Sequence, residues 1–283
     1  MADVNLQTGL LLKVCGTLVL GSAIVWVVRR FSMRPREPVP KDIIVHHQPS
    51  RGPFAPSLTP FSLKLETFLK MANVPYTNVY DSFKNRSSKG KMTWIEYNGE
   101  DIADSELCID YIKDKFQVDV NSDYTPEQLA SGFMVQKMVE DHLYWTLILY
   151  RYVYEGALRL GAYRSFSFLF RYMAKWKVLK DSKAHGIGRH SQNEVNTLMT
   201  RDLENLSNYL GTKKFLLGEQ PSQVDCSVFG MLSQFFWHGF GDPTEEAIKK
   251  FPNLCQYCER MKTEFWPDWD KCITHGESGQ TVK

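Results

Sequence analysis

Apolar positions along this chain change their spacing twice. In residues 8–28 the sole charge is Lys13, and residues 14–28 carry none. About 20 apolar residues span the hydrocarbon core of a bilayer. Residues 1–30 are therefore expected to form a transmembrane anchor, with Lys13 reaching to the near interface and Trp26 in the place of an interfacial aromatic. Residues 31–41 set Pro35, Pro38 and Pro40 among charges and read as an extended linker.

The second regime covers residues 42–117. A short β-branched run at 42–48 reads as a strand. Thr59-Pro60 opens a helix, with Thr59 as N-cap, Pro60 in the first turn and apolar positions Phe61, Leu63, Leu65, Phe68, Leu69 and Met71. That helix stops near Asn73. Val79 and Tyr80 begin a second strand, and 86–91 is a polar, basic loop. Thr93-Trp94-Ile95-Glu96-Tyr97 leads into Asn98-Gly99, the strongest local signal for a two-residue hairpin turn. After a strand to about Ile102, Asp104-Ser105 can cap a helix carrying Leu107, Ile109, Ile112 and Phe116. The order β-α-β-loop-β-β-α is that of a thioredoxin-like domain.

Beyond a polar link at 118–124, strand signals fade and helical spacing takes over. Thr125-Pro126-Glu127-Gln128 starts a helix expected to run to about residue 160, burying Phe133, Met138, Leu143, Leu147, Ile148 and Tyr152. An aromatic helix is expected over 164–179. Ser191 with Glu194 is a capping box opening a helix to about residue 210, and Ser222 with Asp225 precedes the apolar run 228–236. A last helix covers 251–265, and the polar tail 266–283 is expected to be loose from Trp269. The fold class is thus α+β: an N-terminal transmembrane helix, a thioredoxin-like domain at 42–117 and an all-α domain at 125–265.

Charge fixes an orientation. Arg29, Arg30, Arg34, Arg36 and Lys41 follow the apolar run, while Asp3 precedes it. The positive-inside rule then leaves the short tail outside and everything after residue 30 in the cytosol. A cleaved signal peptide would carry its basic cluster first. A short span with a basic flank on its C-terminal side also suits signal anchors of the mitochondrial outer membrane. Hydrophobic residues at 43% and charged residues at 23% are those of a folded protein. A net charge of +2 argues against nucleic acid as a partner. The six cysteines are scattered along 283 residues and read as reduced thiols.

Three fragments at family spacing resemble the cytosolic glutathione transferases over residues 42–265. They are Thr59-Pro60-Phe61-Ser62, where that family has Ser/Cys-Pro-Phe-Cys, the pair Asp104-Ser105, and Leu217-Gly218-Glu219-Gln220-Pro221-Ser222-Gln223-Val224-Asp225. The runs from Ser62 to Tyr76 and from Gly90 to Gly99, with Trp266-Pro267-Asp268-Trp269, look like the failed axon connections family, which is similar to the metaxins and to nematode cadmium-response proteins. The resemblance implies a glutathione-transferase-like helical domain and no cofactor, with glutathione as the substrate if the protein is an enzyme. Thr59 would then be the catalytic group that activates the thiol, while Thr93, Asp104 and Ser105 would bind glutathione, the last two at its γ-glutamyl end. It also implies a protein attached to a membrane and linked to axon development, without implying catalysis.

Two departures bear on activity. Transferases place a cis-proline before the third strand, and Thr93 stands there. A non-proline cis bond costs about 2.5–4 kcal/mol, so this one is expected trans. Thr59 in place of Cys removes thiol–disulfide chemistry. Thr59 and Asp104-Ser105 also have a simpler reading as helix caps. Cys255-x-x-Cys258 with Cys272 and His275 has zinc-ribbon spacing, against which the two nearer cysteines fall in a helical stripe. His46 and His47 alternate faces of a strand, His142 suits either the helical core or the cleft, and Gly186-Ile187-Gly188 lacks a dinucleotide context. The favoured expectation is a non-catalytic adaptor that binds another protein or a second copy. The alternative is a membrane-tethered glutathione transferase conjugating electrophiles.

Overall fold

The computed structural model describes residues 40–81, 85–154, 168–238 and 243–275. The anchor expected at 1–30 and nearly all of the linker lie outside the described residues. Among those described, no helix is long and apolar enough to cross a membrane. The chain divides into two compact units, 1–39 and 40–283, and the second carries the fold described below.

Four short strands make one mixed sheet in the order β2-β1-β3-β4. β1 (Ile44–His47) runs parallel to β2 (Tyr76–Val79) and antiparallel to β3 (Trp94–Tyr97), which pairs antiparallel with β4 (Glu100–Ala103). Asn98 and Gly99 both take positive φ, 48° and 89°, as the hairpin expectation requires. β2 begins three residues before the expected start. Asn73 turns the chain at φ 51°, the Ile44 amide donates to the Pro75 carbonyl, and parallel pairing begins at Tyr76. Tyr-Thr-Asn-Val is too polar to announce a strand, because β2 is an edge that is not fully buried.

α1 (Pro60–Met71) lies between the sheet and the helical half, and α2 (Ser105–Phe116) packs beside it. Leu65, Phe68 and Leu69 join Ile44, Ile95, Ile109 and Ile112 in the sheet's core, whereas Leu63 belongs to the larger helical core. α3 (Pro126–Lys137) opens on the expected Thr125–Gln128 capping box. It continues through a π-helical stretch, Met138–Leu143, then α4 (Tyr144–Leu149) and a second π stretch, Tyr150–Tyr154. A π turn holds more residues than an α turn, so positions on either side of it fall out of phase. Leu143, Leu147 and Ile148 are buried as expected, but Phe133 is 57% exposed, and Met138 and Tyr152 are only partly buried.

α5 (Phe168–His185) ends at Gly186, φ 112°, and a 3-10 turn at Ile187–Arg189 leads to α6 (Gln192–Leu210), capped by Ser191 and Glu194. α7 (Gln223–Phe236) is buried nearly end to end. α8 (Pro243–Lys249) had no expectation, and α9 (Pro252–Phe265) closes the bundle. Of the tail expected to be loose from Trp269, the described part is instead packed: Trp269, Cys272 and Ile273 are buried, as is Trp266 before them, while 276–283 lie outside the described residues. The Trp266 indole donates to Thr67 Oγ1 at 3.0 Å, the Thr274 amide donates to the Gly52 carbonyl, and Lys70 pairs with Asp268 at 2.8 Å. The tail's mean polarity hid two tryptophans spaced to reach one core.

α1 and α7 meet closely at Gly230, where a Cβ would stand 2.5 Å from the Pro60 carbonyl and 3.0 Å from the Lys64 amide. Both neighbours are backbone, so relief would require moving a helix. Gly230→Ala is expected to cost about 2 kcal/mol or more, which thermal melting should register as a fall of roughly 4–8 °C.

Candidate functional site

The residues singled out from sequence stand where three elements, α1, β3 and α2, begin at the same end of the sheet. Trp94 pairs with His47 on one side and Ala103 on the other, so the end of β1, the residue before β3 and the start of α2 are neighbours. Thr93 sits there, buried, its hydroxyl sharing a 2.6 Å hydrogen bond with Ser62 Oγ in the first turn of α1. Among the described residues no peptide bond is cis, so the bond before Thr93 is trans, as expected.

Asp104 is the N-cap of α2, and its carboxylate accepts from the Glu106 amide at 3.2 Å. Its φ of 90° is unusual for a residue with a side chain. Ser105, the first helical residue, is buried. Thr59 precedes α1 in extended conformation and is partly buried, but its hydroxyl makes no cap hydrogen bond. The cap reading therefore holds for the Asp104 side chain and for the backbone position of Thr59 only.

The loop before Thr59 is tied down from the helical side. Arg151 donates to the Leu58 carbonyl at 2.8 Å, Gln234 to that of Ser57 at 3.0 Å, and His238 Nε2 accepts from the Ala55 amide at 3.1 Å. Burial pushes the His238 imidazolium well below its ordinary range, which keeps that ring an acceptor.

Lys64, which no sequence motif flagged, lies at the centre of the site. Its ammonium is buried and contacts Glu106 at the first turn of α2 and Glu140 in the π stretch, the latter at 2.7 Å. Glu106 also accepts from Gln136 at 2.6 Å and from Gln223 at 2.8 Å. Burial opposes the charge on Lys64, but Glu140 and Glu106 outweigh it and hold the group above the usual lysine range. For Glu106, too, burial works against ionisation and Lys64 prevails, so its carboxyl sits below the usual range. A cavity of about 120 Å³ opens beside this cluster, between Glu106, Gln136, Gln223, Phe133 and Leu217. Thr59, Thr93 and Ser105 are not in its walls.

A second buried network lies on the opposite side of α1. Arg51 clamps Glu66 with two hydrogen bonds, 2.7 and 2.8 Å, and Gln48, Asn78 and Tyr76 also donate to that carboxylate. The remaining candidates disperse. Burial pushes His46 down to about 4, and its Nδ1 meets Asn78. His47 stacks on Trp94 at 3.7 Å and bonds Asp81. His142 bonds Asp202 at 2.5 Å across to α6, while Gly186 and Gly188 sit in the turn after α5. No cluster among the described residues could hold a metal; Cys258 is buried within α9, and burial raises its thiol.

Two family models match: the glutathione S-transferase N-terminal domain over residues 60–156 and the glutathione S-transferase C-terminal domain over 199–261. Failed axon connections of Drosophila melanogaster is 36% identical over 83% of this chain, which spans 60% of the fly protein. The isoprene-epoxide–glutathione S-transferase of a Rhodococcus strain is 25% identical over 74% of this chain and 94% of its own. Mouse metaxin-2 is 23% identical over 83% and 93% respectively.

Removing Lys64 would strand two carboxylates in the interior. Lys64→Met is expected to lose about 3–5 kcal/mol in denaturant titrations. Because the Glu106 carboxyl is depressed when folded, its stabilisation is complete above about pH 4.5 and disappears as pH falls through the lower folded value. Glu106→Gln should therefore melt lower than the parent at neutral pH, with the gap closing below pH 4.5.

Proposed function

The chain belongs to the glutathione S-transferase-like family as a homologue of failed axon connections, and from that premise we propose that it is a non-catalytic adaptor. The transferase fold acts as a binding platform at a membrane surface, for another protein or for a second copy of itself. The observation that carries this reading is the commitment of the polar groups at the sheet end to one another. Thr93 is bonded to Ser62, Asp104 caps Glu106, and Lys64 holds Glu106 and Glu140. A ligand's carboxylate arriving at α2 would have to displace partners that already balance charge around a buried ammonium, which costs more than it returns.

Residues 1–30 supply the attachment, with the domain after residue 30 in the cytosol and the mitochondrial outer membrane as the candidate membrane. The name of the fly relative, failed axon connections, supports a role in axon development.

The second reading, a membrane-tethered glutathione transferase, draws on one group. The Thr59 hydroxyl is not spent on capping α1, and it stands at a helix N-terminus, where a thiolate would be favoured. Thr59 would activate the thiol, with Asp104 and Ser105 at the γ-glutamyl end.

Calorimetric titration of reduced glutathione into the full chain separates the two. The adaptor gives no saturable heat up to about 1 mM, the affinity that corresponds to roughly −4 kcal/mol, and no conjugation above the uncatalysed rate. Saturable binding that Ser105→Ala removes, with turnover lost in Thr59→Val, would establish the transferase instead.

A further inference from the structure

α5 presents a face that neither core uses. Tyr172, Met173 and Trp176 are exposed by 62%, 59% and 58%. At about 100° per residue, these three side chains share one arc of roughly 140° with Lys177, Lys180 and Lys183, all exposed. No carboxylate falls within the arc. Asp181 lies at its edge, paired with Lys177 at 2.6 Å. The Lys180 ammonium sits 5.4 Å from the centre of the Trp176 ring, so cation and aromatic are interleaved rather than segregated.

The composition of this face selects its occupant. Cores of protein–protein interfaces share the enrichment in Trp, Tyr and Met but are depleted in lysine, so the three lysines decide between the occupants. A face mixing Trp, Tyr and Met with lysines instead matches the boundary of a bilayer, where indole and phenol rings settle among headgroups and ammonium groups meet anionic phosphates. Long lysine stems let the charges stay at the headgroups while the apolar groups go a few ångströms deeper.

We propose that this face of α5 docks onto an anionic lipid surface, with Trp176, Tyr172 and Met173 entering the headgroup boundary and Lys177, Lys180 and Lys183 binding lipid phosphates. The contact is separate from any anchor in residues 1–30. It fixes which side of the domain faces the bilayer, and so which side is left for a partner.

The full chain, reconstituted into vesicles containing brominated phospholipid, tests this. The difference in fluorescence quenching between the parent and Trp176→Phe isolates Trp176 from the other indoles. In phosphatidylcholine vesicles with roughly a third phosphatidylserine, that difference should be large. It should be largely lost in the triple variant Lys177→Glu, Lys180→Glu, Lys183→Glu, whose affinity for the anionic surface drops by roughly 100-fold or more, and it should also fall as salt is raised. Thermal unfolding should shift by no more than a few degrees in either variant, the loss of the exposed Lys177–Asp181 pair included. The proposal is overturned if Trp176-dependent quenching is absent in folded protein, or is equal in vesicles of phosphatidylcholine alone. It is likewise overturned if the Trp176 signal follows protein concentration rather than lipid, which would make the face a contact between copies.

Discussion

A single helix with two buried charges of opposite sign fixes this structure. Lys64 and Glu66 are two residues apart on α1, so they project from nearly opposite sides. Lys64 meets Glu106 and Glu140, and Glu66 meets Arg51. Buried ion pairs contribute little net stability against an apolar alternative, because desolvation offsets most of the attraction. Their effect here is on register. Rotating α1 by one position would leave both charges facing apolar neighbours, at a cost of several kcal/mol for each stranded ion. The apolar positions of α1 alone allow more latitude, since Leu63, Leu65, Phe68 and Leu69 differ little in size. The sheet and the helical half therefore share one helix whose rotation is set by polar contacts on both sides.

The same contacts shape the site. In a transferase-like fold the ends of α1, β3 and α2 converge, and here they do. What fills the convergence is internal: hydroxyl to hydroxyl between Ser62 and Thr93, ammonium to carboxylate between Lys64 and Glu106. The loop before Thr59 is held by Arg151, Gln234 and His238 through its backbone atoms. A platform gains from having such groups locked, because a rigid surface loses less entropy when a partner binds.

Much of the fold was legible because its signals are local. Asn98-Gly99, Thr59-Pro60 and the Ser191–Glu194 box each specify backbone conformation within a few residues, and each is where it was expected. β2 was placed late because its pairing partner, not its own composition, makes it a strand. Phe133 was placed inward because a constant 3.6 repeat cannot anticipate a π turn that begins five residues on. The placement of the candidate residues was legible in part: Thr59, Thr93, Asp104 and Ser105 lie toward one end of the strands, while Lys64, Glu106 and Glu140 were not recognised. A lysine and a glutamate within an otherwise apolar run were the available clue, and a charged residue at a core position has meaning only once its partner, 42 or 76 residues away in sequence, is seen.

The packing of residues 266–274 has a bearing on synthesis. Trp266 reaches back to Thr67, Asp268 to Lys70, and Thr274 to Gly52, so α1 is completed by residues that follow it by 198 and 199 positions in the sequence. While translation continues, α1 has its own sheet but lacks the aromatic lid on its far side and the helix, α7, against which Gly230 seats it. The nascent thioredoxin-like half is thus obliged to wait, with apolar surface uncovered, until residues 266–274 have emerged. A premature stop just before Trp266 would leave every earlier element present and α1 without its aromatic lid.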